Sequence, residues 1–294
     1  MDQKSEAEYY FRRGNDYLDA GQFEQAISEY GKSLNIYPCV PETFHNLWLA
    51  FFMKGEYDKA IICYTEALKI NTMYSDAYHS RGLAYYYCGK VEEAIYDYNL
   101  ALQLNPVNVE AYNNRGNAYR HLRQYEEAIS DYNISLEINP LLAIAYYNKG
   151  LIYEDRGEYE QAILEYTKAL ELNNNLAEAY NHRGVAYKKL HHYGQAIKDY
   201  TKALEINHNY ADAYYCRGIV FDDLGQYDQA ISDYDHALSI NKRYYQVYYN
   251  KDVIYEKLDQ IKDAIEAYKA FIKYAPDDYS SYIKRAKEKI NQLL

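Results

Sequence analysis

Apolar residues recur along the chain in two interleaved stripes that repeat every 34 residues. In the stretch 143–176 the first stripe carries Tyr146 and Tyr153 around Gly150. The second carries Tyr159, Ala162, Tyr166, Ala169, Leu170 and Leu172. Steps of three and four residues keep side chains on one face of a helix, so each stretch predicts a pair of short helices. Helices of about 14 residues are marginal alone in water. A fixed period of this length signals an array, in which each unit covers the apolar face its neighbour leaves open.

The units run without insertion through 7–40, 41–74, 75–108, 109–142, 143–176, 177–210, 211–244 and 245–278. Residues 1–6 form a polar lead, in which Ser5 and Glu8 read as a capping box for the first helix. Between the stripes lie Gly21, Gly55, Gly89, Gly157 and Gly225, suited to a left-handed helix stop. Second helices end at Asn71, Asn105, Asn139, Asn173, Asn207 and Asn241. These are expected to adopt that same left-handed conformation, and Pro106 and Pro140 follow two of them. Gly at position 8 of a unit and Ala at position 20 allow close approach of two helix backbones, with tyrosines filling the space beside them. The tail 279–294 reads as one more helix that caps the stack. Tyr279, Tyr282, Ile283, Ala286, Ile290 and Leu293 share one face, and Lys284, Arg285, Lys287 and Lys289 the other.

Two units break the glycine rule. Trp48 and Asp252 stand where the others have the close-contact Gly. Trp48 is expected either to be packed inside by local adjustment or to turn outward as an anchor. Comparing the units also reveals a pairing. Position 7 holds Arg13, Arg81, Arg115, Lys149, Arg183 and Arg217, and position 23 of the same units holds Glu29, Asp97, Asp131, Glu165, Asp199 and Asp233. Where Leu47 removes the base, Cys63 replaces the acid. An ion pair inside each hairpin is expected, worth ~0.2–1 kcal/mol if exposed.

Small or aromatic at 4, Gly at 8, Tyr at 11, Ala at 20, Tyr at 24, Ala at 27 and Pro at 32 resembles the tetratricopeptide repeat. The resemblance implies an all-α fold, a right-handed superhelical solenoid of antiparallel helix pairs. It also implies that the first helices line a concave groove that takes a peptide or another protein.

The net charge is −11, with a pI near 5.3, which argues against nucleic acid as a partner. Cys39, Cys63, Cys88 and Cys216 show neither metal-knuckle nor disulfide spacing and read as free thiols in a reducing compartment. Neither a secretory leader nor an apolar run long enough to span a membrane is visible. The expected setting is cytoplasmic.

Tyrosine is over-used, at 41 copies. Beyond the pattern positions, the resemblance puts Tyr74, Tyr86, Tyr87, Tyr147, Tyr210, Tyr215, Tyr244 and Tyr249 on or near the groove. Amides join them: Asn46, Asn114, Asn148 and Asn250 at position 6, with Asn15, Asn113, Asn117 and Asn181 beside them. An Asn side chain donates to and accepts from a peptide backbone at once. The row resembles the asparagine ladder in the repeats of O-linked N-acetylglucosamine transferases, interrupted here by His182 and Cys216. His79 and His182 complete the candidate groove. Tetratricopeptide cofactors of heat-shock chaperones hold a C-terminal carboxylate with Lys at 5, Asn at 9, Asn at 6, Lys at 2 and Arg at 6. Here the first three units supply Phe11, Asn15, Asn46, Asp76 and Ser80, so the basic residues are missing and that ligand is not expected. Glu42 with His45, and Asp76 with His79, share helix faces at metal-ligand spacing, yet first-turn acids recur without His and serve the helix dipole. No metal, cofactor or catalytic constellation is read. The expected function is a non-enzymatic protein-binding scaffold. The alternative is the targeting arm of an enzyme whose catalytic domain is not on this chain, and self-association by end-to-end stacking is a third class.

Overall fold

The computed structural model describes residues 2–38 and 41–294; Cys39, one of the four expected thiols, lies outside the described residues, as does Val40 at the end of the first unit. Among the described residues the chain is all-α, with no strand. The helices follow in pairs: α1 (Gln3–Asp19) and α2 (Phe23–Ile36), α3 (Pro41–Met53) and α4 (Tyr57–Ile70), α5 (Ser75–Tyr87) and α6 (Val91–Leu104), α7 (Val109–His121) and α8 (Tyr125–Ile138). Then come α9 (Ala143–Asp155) and α10 (Tyr159–Leu172), α11 (Ala177–Lys189) and α12 (Tyr193–Ile206), α13 (Ala211–Asp223) and α14 (Tyr227–Ile240), α15 (Tyr245–Lys257) and α16 (Ile261–Tyr274). A 3-10 turn, Asp277–Tyr279, leads into α17 (Ser280–Leu293). The chain divides into two compact units, one ending at Asn148 and the other beginning at Lys149, so the division falls inside α9.

The helix ends confirm one reading and correct two. Gly21, Gly55, Gly89, Gly157 and Gly225 all have φ between 69° and 78°. Around Gly21 the bonds Gly21 N to Leu18 O (2.9 Å) and Gln22 N to Tyr17 O (2.8 Å) close the helix end. Arg123, His191 and Asp259 adopt the same left-handed backbone, with φ of 58°, 60° and 57°. The hairpin therefore imposes this geometry even where glycine is absent. The terminal asparagines do not adopt it. From Asn71 to Asn241 their φ lies between −125° and −142°, in extended backbone. Each instead turns its Oδ1 onto the amide two residues ahead, as Asn71 does to Met73 (3.0 Å) and Asn173 to Asn175 (3.0 Å). That side-chain turn explains why asparagine recurs there. At the N-terminus the cap is Asp2, whose Oδ1 accepts from Ser5 N at 2.7 Å. Ser5 lies inside the helix, and Glu8 pairs with Arg12.

Glycine at position 8 makes room for a ring more than for a backbone. A Cβ on Gly116 would stand 2.6 Å from Tyr132, and on Gly14 or Gly150 2.4 Å from Tyr30 or Tyr166. Those tyrosines are fully buried. Gly116→Ala is expected to destabilise the first unit by ~1–3 kcal/mol through this overlap. Gly31→Ala, in an open position on α2, is expected to stabilise by up to about 1 kcal/mol. Urea denaturation of both variants checks the contrast; equal midpoints would refute it.

Trp48 takes the inward course. It is 5 % exposed, and its ring lies 4.9 Å from Phe52 and 5.3 Å from Tyr64. Tyr64 in turn hydrogen-bonds His45 Nδ1 at 2.6 Å. Asp252 is fully buried against α16 and α17, and neither carboxyl oxygen has a hydrogen-bond partner.

The hairpin ion pairs are present and more deeply buried than expected. Arg81, Arg115, Arg183 and Arg217 each grip the position 23 aspartate with two nitrogens, at 2.6–2.8 Å. Lys149 reaches Glu165 at 3.4 Å and Arg13 reaches Glu29 at 3.5 Å. These acids are buried, so the estimate for an exposed pair does not apply. A further nitrogen reaches back to the preceding hairpin: Arg81 to Thr65 (3.3 Å), Arg115 to Asn99 (2.6 Å), Arg183 to Thr167 (3.0 Å) and Arg217 to Thr201 (2.9 Å). One guanidinium thus joins three helices, as only a planar fork of donors does. In the last unit, where Ala267 removes the acid, Lys251 turns to Asp235 of the unit before.

Candidate functional site

The polar residues of the first helices are not free-standing. In the first unit Asn46 Nδ2 donates to Asn15 Oδ1 (2.8 Å), which also accepts from Tyr30 (2.8 Å). Asn114 Nδ2 meets His79 Nε2 at 2.9 Å. Asn148 donates to Asn113 at 3.1 Å, both buried, and Tyr132 donates to Asn117 at 2.7 Å. The candidate residues come together in pairs linking one first helix to the next. Sequence spacing places them on one face but does not reveal that they bond each other. Asn15, Asn46, His79, Asn114 and Asn117 stay half-buried. Burial holds the His79 and His45 imidazoles below the usual histidine range, so both are neutral near pH 7.

In the second unit Asn181 is buried, and its Oδ1 lacks a hydrogen-bond partner. His182 Nδ1 lies 3.1 Å from Glu154 Oε2, which also accepts from Tyr166 (2.7 Å). Glu154 escaped the sequence reading, because an acid near a helix end is the commonest of surface residues. Asn250 approaches the hydroxyls of Tyr215 (3.5 Å) and Tyr234 (3.4 Å). Tyr249 packs on Phe271 and Tyr282. Tyr147 sits half-buried on α9. Tyr279 packs on the C-terminal core as its spacing indicates, and with Tyr282, which is 46 % exposed, it also walls an open pocket shared with Tyr215 and Tyr249.

The described cysteines are free. Burial pushes the Cys216 thiol up to about 11 and the Cys63 thiol to about 12, so neither is a ready nucleophile. Among the described residues no group of three or more His, Cys, Asp or Glu is placed to hold a metal ion, and no helix is long and apolar enough to cross a membrane.

Family models described as TPR repeat match residues 49–87, 82–122 and 150–190. Models described as tetratricopeptide repeat match 7–38, 109–140, 177–210, 211–244 and 245–278. No curated protein matches the chain. Among solved structures, a tetratricopeptide repeat protein from Parabacteroides merdae is 25 % identical, with 87 % of this chain and 98 % of that one covered and a TM-score of 0.66. MamA is 29 % identical over 56 % of this chain and 96 % of its own, at a TM-score of 0.51. YrrB, described as a TPR protein with an unusual peptide-binding site, is 22 % identical over 64 % of this chain and 97 % of its own, at a TM-score of 0.52, a likeness of fold.

Proposed function

The chain belongs to the tetratricopeptide repeat family, and we propose that it is a binding scaffold that holds a peptide or protein segment against its first helices. One observation carries this reading. Half-buried amides and imidazoles stand in hydrogen-bonded pairs along those helices, as in Asn46 with Asn15 and Asn114 with His79. Asn114 makes a single side-chain hydrogen bond out of the several an amide can form. Side chains already held by a neighbour lose little rotamer freedom when a ligand arrives, and such preorganisation strengthens binding. The family fold supports the reading, as does the peptide-binding site named for YrrB. The make-up of the face supports a binding role: its amides are paired, and the high thiol pKa disfavours a cysteine nucleophile. The free thiols suit a reducing compartment such as the cytoplasm.

A pull-down with mass spectrometry identifies the partner, and titration of the identified segment then tests the face. Asn46→Ala combined with Asn114→Ala is expected to weaken binding about tenfold, a loss of ~1.4 kcal/mol, with helical content unchanged. Asn148 is left intact in this test, because its removal would strand the buried Asn113. Undiminished affinity in the double variant would exclude the first-unit face.

A further inference from the structure

The C-terminal part of the second unit holds an aromatic pocket that the repeat pattern does not require. Tyr215 from α13, Tyr245 and Tyr249 from α15, Phe271 from α16, and Tyr279 and Tyr282 from the 3-10 turn and α17 enclose about 180 Å³, with Asn250 at one edge. Tyr249 and Tyr282 stand at 85° with centroids 5.6 Å apart, and Tyr245 and Tyr279 at 69° and 4.9 Å. Rings set at such angles wall a space rather than stacking across it. Phe271 closes the floor at 1 % exposure, while the half-exposed Tyr282 borders the mouth. Small-molecule sites usually start near 300 Å³, so this volume suits a single side chain.

The charge around the pocket selects that side chain. Asp278 directly precedes Tyr279, and Asp212 accepts a hydrogen bond from Tyr244 at 2.6 Å, whose ring lies 5.0 Å from Tyr215. The Tyr245 phenol is pushed up to about 12, first by its hydrogen bond with Tyr279, then by desolvation and the Tyr279 charge, and to a smaller extent by the Asp278 charge. On α17, Lys289 is tied to Glu256 at 2.7 Å. Packing an apolar side chain here would take water from phenol hydroxyls and from the Asn250 amide without replacing their hydrogen bonds. A cation gains from the ring faces that line the pocket and from the negative charge of Asp278 and Asp212 near it.

We propose that this pocket takes a cationic side chain of a bound segment, an arginine or a lysine in plain or methylated form, seated among Tyr249, Tyr282 and their neighbouring rings. The proposal extends the scaffold reading to the chemistry of its ligand, and it is tested without that ligand. Isothermal titration and NMR of the full chain are run with choline, N-acetylarginine amide and N-acetyllysine amide. The neutral isostere of choline, 3,3-dimethylbutan-1-ol, is the control. At least one cation is expected to bind in the millimolar range, about tenfold more tightly than the control. The ranking of the three cations separates guanidinium from ammonium and from its methylated form. Tyr249→Phe keeps the ring and is expected to retain binding within about threefold, while Tyr249→Leu loses about tenfold. Tyr282→Leu, at the exposed rim, repeats the loss should Tyr249→Leu disturb folding by circular dichroism. Equal binding of the isostere, no binding of any cation at ~10 mM, or undiminished binding in Tyr282→Leu would overturn the proposal. Cation binding that persists while Asn46→Ala with Asn114→Ala leaves segment affinity unchanged would remove the first-unit reading and keep the pocket.

Discussion

Replacing Asp252 with alanine is expected to stabilise the second unit and to flatten its response to pH. Asp252 is fully buried with both oxygens unpartnered, and burial, helped by the nearby Glu256 charge, pushes its carboxyl from an ordinary 3.8 up to about 8. Arg285 and Lys289 of α17 pull the other way, without reversing the shift. Tyr268 of α16 donates its hydroxyl to Glu256. Below about pH 4 the folded and unfolded chains both carry the Asp252 proton, and stability is at its full value. Between about pH 4 and pH 8 the unfolded chain releases the proton and the folded chain keeps it, so stability falls as pH rises. Across that window the loss is on the order of 5 kcal/mol, at 1.36 kcal/mol per pH unit. Alanine removes the titrating group without adding volume, since Asp252 already has a Cβ in place. Hydrogen exchange over α15–α17 at pH 5 and pH 8 checks this. Protection that drops with pH in the parent and holds in the variant is the expected result. Parallel pH profiles would exclude it.

Arg115→Ala is expected to cost ~3–5 kcal/mol, the loss typical of removing one partner from a buried pair. The Arg115 guanidinium grips Asp131 with two nitrogens at 2.6 and 2.7 Å, reaches Asn99 at 2.6 Å, and lies 5.5 Å from the centre of the Tyr112 ring. Truncation leaves Asp131, 3 % exposed, without its cation. The double variant Arg115→Met with Asp131→Leu fills the same space with apolar atoms and is expected to recover most of the loss. If the single variant stays within 0.5 kcal/mol of the parent by denaturant titration, a range usual for surface changes, then the pair does not brace the hairpins.

That pair was legible in the sequence because the chain carries its own comparison set. Leu47 and Cys63 change together, and six other units keep opposite charges at the same two positions. Its link to the preceding hairpin was not legible. Thr65, Asn99, Thr167 and Thr201 are small polar residues of the kind found on many helix surfaces, and nothing in one unit indicates that an arginine of the next reaches them. The candidate amides repeat the lesson. Their spacing put them on one face, but whether Asn148 faces a ligand or Asn113 depends on how two helices 35 residues apart meet.

The sequence by itself determined the helices, their pairing and the stops between them. Those follow from apolar spacing, short connections and residues suited to a left-handed turn, all local and repeated down the chain. Tertiary structure alone decided that Trp48 turns inward and that Asp252 is buried without a partner. It also decided that Tyr215, Tyr249 and Tyr282 meet around one pocket. These side chains come from different helices, and the pocket exists only because α17 and the turn before it bring Tyr279 and Tyr282 against α15. A pattern read one unit at a time records which residues face inward, and only the packed neighbours settle what they face.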